Sequence, residues 1–326
     1  MPSLRKTVAR SVEELDRLQP LWNELLRQGP KTLFQGFEWN RLAVEMFDDR
    51  LLPVVCAVEN DNGAAIIPAA INRQANRLEL LGETLFDYRD LLHVGDRSLL
   101  HAAWQMMADL KLPLSVTAVQ SGNAAAYWQD FELEEFARAP WVDATQLTAE
   151  QFRLLHTRAA RQLRRMRREG VSLHQYSGTQ REQVRRIYRL KCDQFPGDVA
   201  NIFRDARRRE FMVAIAAAEA DNCRVFTLED GVGCIVAALV TFLDGGISRF
   251  YTIYFDLRWA AYSPGVALVF EATALSLEQG LSCDYMTGEY PYKLRFANAS
   301  RMLYRVQASA GQLAAIAEDV TKRKIA

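Results

Sequence analysis

The segment Tyr262-Ser263-Pro264-Gly265-Val266-Ala267-Leu268 leads into a helix-like run that ends at Gly280. It is followed by Cys283-Asp284-Tyr285-Met286-Thr287-Gly288-Glu289-Tyr290-Pro291-Tyr292-Lys293. This order predicts a turn, a helix that starts at Pro264, a strand over 282–286 and a lysine beyond the strand. The start of a helix carries free N–H groups and the positive end of the helix dipole, so this turn suits a phosphate group.

The elements around this segment follow one order in both halves of the chain: two helices, three strands, a helix and a strand. The first set is a helix from Ser11, a helix over 37–47, strands over 51–59, 64–71 and 77–81, a helix over 98–110 and a strand over 114–119. The second set is helices over 179–194 and 205–219, strands over 224–228, 234–243 and 247–255, the helix over 264–279 and the strand over 282–286. The agreement is one of element order, which unrelated α/β proteins also share.

We therefore expect an α/β (α+β mixed sheet) protein of two tandem domains, each with a mostly antiparallel central sheet flanked by helices. The boundary is predicted near Pro140 to Thr148, before a long helix over 148–168. This gives an N-terminal domain of residues 1–147 and a C-terminal domain of residues 148–326.

Composition favours a globular protein and gives no general attraction to polyanions. The 326 residues are 49% hydrophobic and carry 40 basic and 40 acidic side chains, a net charge of zero. Nucleic acid or an anionic membrane would therefore need a local basic patch. The five cysteines and four histidines are scattered, which predicts reduced thiols, a cytoplasmic protein and no metal site. The most apolar run, 232–243, is too short to span a membrane and predicts a buried strand.

Three segments resemble the GNAT acyltransferase superfamily. They are Arg161-Gln162-Leu163-Arg164-Arg165-Met166-Arg167-Arg168, Tyr262-Ser263-Pro264-Gly265, and the run from Asp284 to Lys293. In their order and spacing they look closest to the CelD-like acetyltransferases of cellulose-synthesis loci and, more distantly, to the tandem-GNAT FemABX peptidyltransferases. The resemblance covers roughly residues 154–296, and it implies two tandem GNAT-like domains.

The resemblance also implies that acyl-CoA, such as acetyl-CoA, is a co-substrate, with no tightly bound cofactor. The donor would bind at Ser263, Pro264, Gly265, Val266 and Ala267. Many GNAT proteins carry an Arg/Gln-x-x-Gly-x-Gly/Ala phosphate loop, whereas the equivalent stretch 259–265 has one glycine. That agrees with the CelD-like branch and leaves the donor open. Read locally, Ser263-Pro264-Gly265 is also an ordinary helix start with a serine cap.

Three residues are candidates for the chemistry of acyl transfer. The FemABX resemblance implies an aromatic–lysine pair near the reaction centre, where Lys293 would stabilise the developing oxyanion. Glu289, directly or through water, would accept the proton of an attacking amine, and Tyr254 would protonate the leaving thiolate. The alternatives are a surface lysine, a solvent-exposed carboxylate and a tyrosine packed in the core.

Further residues are candidates for substrate contact. They are Tyr251 on an alternating strand, Tyr292 beside Lys293, Asp87, Tyr88 and Arg89 in an aromatic and charged segment, and Arg161 and Arg165 on an arginine-rich helix. Six arginines and no lysine within 158–168 favour recognition of an oxyanion, because the guanidinium fork matches oxyanions well. A solvated helix face and a surface ion-pair network are the alternatives.

Three functions are consistent with these residues. The first is an N-acyltransferase in which a small-molecule or peptidyl amine attacks acyl-CoA directly, with the N-terminal domain as a degenerate copy that shapes the acceptor site. The second is a Fem-like aminoacyl transferase that uses aminoacyl-tRNA, with the arginine-rich helix on the tRNA track. The third is a non-catalytic GNAT-fold binding protein. DNA and a membrane span are not expected.

Overall fold

The computed structural model describes residues 4–28, 31–82, 84–195 and 197–323, which form two compact units. Unit 1 comprises the described residues of Met1–Ala137 and Met302–Ala326, and unit 2 comprises those of Arg138–Arg301. These units divide the chain at other residues than the predicted 147/148, because the last strand and helix of the chain pack within unit 1.

Unit 1 contains the first strands and helices and the last ones. Its elements are β1 (Arg5–Ala9), α1 (Val12–Asp16), α2 (Gln19–Arg27), α3 (Phe37–Met46), β2 (Leu51–Asn60), β3 (Gly63–Asn72), β4 (Arg77–Leu80), β5 (Leu92–Val94), α4 (Arg97–Ala108), β6 (Leu114–Gln120) and α5 (Ser121–Tyr127). Strand β7 (Leu133–Val142) continues from unit 1 into unit 2.

The elements of unit 2 follow. They are α6 (Ala149–Leu155), α7 (Thr157–Arg168), β8 (Ser172–Ser177), α8 (Arg181–Asp193), α9 (Ala206–Ala218), β9 (Cys223–Glu229), β10 (Ile235–Asp244), β11 (Ile247–Phe255), α10 (Pro264–Glu278), β12 (Ser282–Asp284) and α11 (Pro291–Phe296). Strand β13 (Ala299–Ala308) returns to unit 1, where α12 (Ala310–Arg323) follows it.

The sheets of the two units share one pattern of parallel and antiparallel pairing. In unit 1 the order is β1-β2-β3-β4-β6-β13, and in unit 2 it is β8-β9-β10-β11-β12-β7. In both sheets the fourth and fifth strands are parallel and the other neighbours are antiparallel. The predicted mixed sheet flanked by helices is confirmed.

The sixth strand of each sheet follows, in sequence, a strand of the other unit. Strand β7 follows the unit 1 strand β6 in sequence but pairs with β12 of unit 2, through Val142 with Cys283 and Trp141 with Asp284. Strand β13 follows the unit 2 strand β12 in sequence but pairs with β6 of unit 1. The sheet of unit 1 is therefore built from two separate stretches of sequence, whereas the paired residues of the unit 2 sheet all lie within Arg138–Arg301.

Each unit buries apolar side chains between its sheet and its helices. In unit 1, α4 and α12 cover β2, β3 and β6, with Trp104 and Trp128 among the fully buried side chains. In unit 2, α6, α7 and α10 cover the sheet, and Phe152 of α6 stacks on Phe270 of α10 at 5.5 Å between ring centroids. Burial of these side chains provides most of the free energy of folding.

Two local predictions are wrong. The helix predicted over 148–168 is broken at His156, where φ is −115° and ψ is 40°, and this leaves Leu155 exposed outside the core. Strict alternation along β11 fails because the ladder with β10 skips Tyr251, a β-bulge. Phe250 therefore packs in the same core as Ile253 and Phe255, whereas alternation placed it with Thr252 and Tyr254.

Candidate functional site

The candidate site lies in unit 2, where β11 and β12 stop pairing. Their parallel ladder joins Ile247–Arg249 to Ser282–Asp284 and ends there, while β11 stays paired with β10 as far as Phe255. The chain beyond β12 turns toward β7 instead, since the Tyr285 N–H donates to the Pro140 carbonyl at 3.1 Å. The segment Phe250–Phe255 thus extends past the end of the ladder with β12.

Helix α10 begins directly against this segment of β11. A Cβ added at Gly265 would lie 3.2 Å from Cδ1 of Phe255 and 3.3 Å from Cδ1 of Ile253. Gly265 is therefore needed for close packing of the helix on the strand, and its missing side chain does not open a path for a ligand. The packing holds the helix N-terminus beside the part of β11 that β12 leaves.

The first turn of α10 keeps two N–H groups that precede the first intrahelical bond, which runs from Ala267 N–H to Ser263 O at 3.1 Å. They belong to Gly265 and Val266, because Pro264 has none. Ser263 has left-handed φ and ψ of 49° and 55°, and its side chain makes no capping hydrogen bond, which corrects the predicted serine cap. Pro264, Gly265 and Ala267 are buried and Val266 is half-buried.

Arg165 lies over the residue that precedes this helix start. Its guanidinium carbon is 5.0 Å from the ring centroid of Tyr262, and both side chains are solvent-accessible. The neighbouring Arg167 pairs with Glu271 of α10 at 3.2 Å, which fixes α7 against α10. An anion at the α10 N-terminus would therefore find Arg165 nearby. Arg161 lies one turn earlier on α7 and is exposed.

A left-handed turn follows β12. Met286 is buried with φ of 63°, a conformation that costs free energy for a residue with a side chain. Its N–H donates to Oδ1 of Asp284 at 2.8 Å. Its carbonyl accepts from Nζ of Lys293 at 3.2 Å, and the Thr287 carbonyl accepts from the same Nζ at 2.7 Å.

Lys293 is therefore a buried residue of α11, only 6% exposed, and the alternative of a surface lysine is wrong. Its ammonium group also lies 5.3 Å from the ring centroid of Tyr290. At least two of its N–H bonds are directed at the backbone carbonyls of the turn at Met286 and Thr287.

A buried ion-pair network closes the end of the β11–β12 ladder. Arg249 donates from Nη1 to Oδ2 of Asp284 and from Nε to Oδ2 of Asp244, both at 2.6 Å, and its side chain is 3% exposed. Arg249 and Asp284 are also the last paired residues of the ladder. Arg249 was not among the predicted site residues, although an arginine in a strand rich in aromatic residues indicates a buried acidic partner.

The tyrosines predicted for the site differ in their surroundings. Tyr254 is 6% exposed, and burial raises the pKa of its phenol, with Asp256 adding to the shift, so the hydroxyl stays protonated at neutral pH. Tyr251 is the half-buried bulge residue, and its ring lies 5.9 Å from that of Phe242. Tyr292 is half-buried on α11, and burial raises its pKa to about 12. Glu289 is exposed in the loop before α11.

The predicted residues Asp87, Tyr88 and Arg89 lie in unit 1, in a segment that interrupts the counterpart of β11. Strands β4 and β5 pair antiparallel with the same edge of β3, β4 with Ala69–Asn72 and β5 with Ala64–Ile66. The register shifts between them, and the described residues 84–91 lie in the intervening segment. The Arg89 N–H donates to the carbonyl of Ala118, a non-glycine residue with φ of 62° that lies four residues into β6, as Met286 lies four residues after the start of β12.

The segment between β4 and β5 packs its aromatic side chains inside unit 1. Phe86 and Tyr88 are buried and pack on Phe34, with centroids 5.8 Å apart in each pair. Asp87 and Arg89 are half-buried. Buried aromatic side chains thus lie in the segment between β4 and β5 of unit 1.

Residues 156–294 match the family model described as Acetyltransferase (GNAT) domain. This segment is similar in sequence to GNAT acetyltransferases. It contains the α10 N-terminus, the ladder end and Lys293, so the candidate site lies inside the matched region. No curated protein matches the chain.

Several solved structures have a similar fold over nearly the whole chain. FemX matches with a TM-score of 0.61 and 10% identity, covering 96% of this chain and 100% of that one. A conserved protein of unknown function from Bacteroides thetaiotaomicron matches with 0.59 and 13%, covering 94% and 99%. The C-terminal domain of a putative lysylphosphatidylglycerol synthetase from Agrobacterium fabrum matches with 0.58 and 11%, covering 94% and 96%. At these identities the likeness concerns the fold.

The described residues contain no cluster of three or more His, Cys, Asp or Glu side chains able to hold a metal ion. None of the helices described combines the length and apolar character needed to cross a membrane. Cys56, Cys223 and Cys283 are buried free thiols whose pKa burial raises to about 12.

Proposed function

We propose that this protein is an N-acyltransferase that moves an acyl group from acyl-CoA to an amine, with the donor bound in the GNAT domain. The observation that carries the proposal is the placement of the α10 N-terminus against Phe250–Phe255, the part of β11 beyond its ladder with β12. A strand that continues beyond its last pairing with a neighbouring strand can form hydrogen bonds with the amides of an extended ligand. The N-terminus of a helix beside that strand can bind a pyrophosphate.

Several residues would bind the donor. The Gly265 and Val266 N–H groups would contact the pyrophosphate, and Ser263, Pro264 and Ala267 would set the position of those groups. Arg165, lying over Tyr262, would supply a guanidinium group to a phosphate, which forms strong charge-assisted hydrogen bonds. Arg161 would extend the same basic surface.

The transfer would proceed by direct attack. The amine nitrogen forms a bond to the thioester carbonyl carbon, and the carbon–sulfur bond breaks. Glu289, directly or through water, would take the proton from the amine, and the protonated phenol of Tyr254 would deliver a proton to the leaving thiolate. Tyr251 and Tyr292 are proposed to contact substrate. Unit 1 is proposed to be a degenerate GNAT-like domain that shapes the acceptor site.

A Fem-like transferase that uses aminoacyl-tRNA is the second candidate. The likeness to FemX and the exposed arginines of α7 favour it, because exposed arginines can bind the phosphates of RNA. A non-catalytic binding protein with the same fold is the third. Within the first proposal, the resemblance in sequence favours a CelD-like acetyltransferase.

Thermal unfolding with CoA, acetyl-CoA, a long-chain acyl-CoA and aminoacyl-tRNA separates these proposals. A ligand present at about 100 times its Kd stabilises the native state by about 2.7 kcal/mol, which raises Tm by several degrees. We expect the CoA esters to raise Tm. Stabilisation by aminoacyl-tRNA alone would favour the Fem-like reaction, and a donor that binds without turnover would favour a binding protein.

Arg165→Ala tests the donor site itself. We expect a Kd for the CoA ester that is about tenfold to a hundredfold higher, because a hydrogen-bonded phosphate contact is worth roughly 1.5–3 kcal/mol. Arg164→Ala is the matched control, since Arg164 is an exposed neighbour on the same helix. Equal Kd values for both variants would place the donor elsewhere.

A further inference from the structure

The left-handed turn at Met286 is held by side chains that carry formal charges. Asp284 accepts from the Met286 N–H, and Lys293 donates to the carbonyls of Met286 and Thr287. All three contacts involve backbone atoms of the turn. A non-glycine residue keeps left-handed φ only where its surroundings impose it, and here these bonds do so.

The same network fixes where β11 and β12 part. Arg249 binds the second oxygen of Asp284, and the two residues are opposite each other at the last position of the ladder. Arg249 is in turn oriented by Asp244 at the end of β10. A continuous chain of bonds thus runs from β10 through Arg249 and Asp284 to the Met286 turn, which Lys293 holds from the other side.

We propose that Arg249, Asp284 and Lys293 are positioning residues that impose the left-handed turn at Met286 and thereby set the opening between β11 and β12 in which the acyl donor lies. This rests on the proposed function for the identity of the ligand. It replaces the direct oxyanion contact expected for Lys293, because the ammonium group is directed at the turn. Misplacing bound reactants by about 1 Å can lower the rate a hundredfold, so a change in the position of this opening would lower the rate of acyl transfer.

A pair of substitutions distinguishes the two roles of Lys293. Lys293→Met removes the donors to the turn, and we expect kcat/KM to fall about tenfold to a hundredfold. In the double variant with Met286→Gly, residue 286 can adopt left-handed φ without strain and without the hydrogen bonds from Lys293, because glycine adopts that conformation readily. We expect the double variant to be several-fold more active than Lys293→Met, after correction for Met286→Gly alone. A lysine that stabilises an oxyanion would give no such rescue.

Arg295→Met is the control for loss of a positive charge from the same helix, since Arg295 is exposed on α11. We expect it to keep the parental kcat/KM. Parental activity in Lys293→Met, or a double variant no better than Lys293→Met, would overturn the positioning role.

Amide hydrogen exchange tests the inference without activity and so separates its failure from that of the proposed function. In Lys293→Met, we expect faster exchange in the peptide that carries the Met286 and Gly288 amides, which donate to Asp284 and to the Arg138 carbonyl. Met286→Gly should restore part of the protection. Unchanged exchange in Lys293→Met would overturn the inference even if acyl transfer is demonstrated. Faster exchange with no acyl transfer would leave the turn as described and refute the proposed function.

Discussion

Asp90 shows how strongly a single buried carboxyl group depends on its surroundings. It is buried in unit 1, where its Oδ1 accepts from Trp128 Nε1 at 3.0 Å and from the Leu91 N–H at 2.8 Å. Burial raises its pKa from 3.8 to about 6, although both hydrogen bonds lower it. The neutral form in the folded state is therefore favoured up to about pH 6, well above the range for an ordinary aspartate.

The raised pKa predicts how stability changes with pH. The contribution of Asp90 to folding is fully present below its unfolded pKa of 3.8 and is lost as pH rises through about 6. Asp90→Asn keeps the acceptor for Trp128 and cannot ionise. We expect its Tm, relative to the parent, to be higher at about pH 8 than at about pH 5. A difference in Tm that does not change with pH would show that Asp90 is not the titrating group.

At the scale of elements, the contact between β11 and β12 depends on a buried charge pair. Asp284→Leu removes one of the two carboxylates that form the described ion pairs of Arg249 and keeps Asp244. We expect this to lower the free energy of unfolding by about 3–5 kcal/mol, because a buried charge loses its partner. Arg249→Met with Asp284→Leu removes both buried charges and leaves Asp244, which is 19% exposed, able to reach water.

We therefore expect the double variant to recover much of the stability that Asp284→Leu loses. About 1 kcal/mol would remain lost, because the Met286 N–H no longer has its acceptor. Urea unfolding measures both variants, provided that the m-value is unchanged. A double variant less stable than either single variant would show that the pair stabilises the fold by itself.

Elements that depend on local sequence were predicted well. The hairpin of β2 and β3, the helix start at Pro264 and the strand Ile247–Phe255 follow from turn residues and apolar patterns within a few positions. Strands β1, β7, β8 and β13 were missed, and β8 shows why, since it has no buried residue and thus no clear apolar pattern. Such strands are specified by pairing with distant partners.

The candidate site divides in the same way. The α10 N-terminus was predicted because its serine, proline and glycine are adjacent in sequence. The Arg249–Asp284 pair joins residues 35 positions apart, and the left-handed φ of Met286 is imposed by Lys293 and Asp284. A single sequence does not display those contacts, so the buried position of Lys293 was visible only in the structure.

At the scale of the whole molecule, the exchanged strands predict which fragments fold. A fragment of residues 148–326 lacks Arg138–Val142 of β7 and leaves β12 with an open edge, whereas residues 138–301 contain all of unit 2. Open edges of sheets promote aggregation. We expect 138–301 to be soluble with a cooperative thermal transition, and 148–326 to aggregate. Circular dichroism and size-exclusion chromatography compare them, and the reverse result would contradict the assigned units.

The exchange of β7 and β13 also imposes an order on folding during translation. As the nascent chain leaves the ribosome, β7 is already made when β12 emerges, so unit 2 can complete its sheet at once. Unit 1 must wait for β13 while the whole of unit 2 is synthesised, roughly 10–30 s at typical elongation rates. Throughout that interval the edge of β6 is uncovered. Premature termination or ribosome stalling in the last segment would therefore leave a completed unit 2 attached to an unfinished and aggregation-prone unit 1.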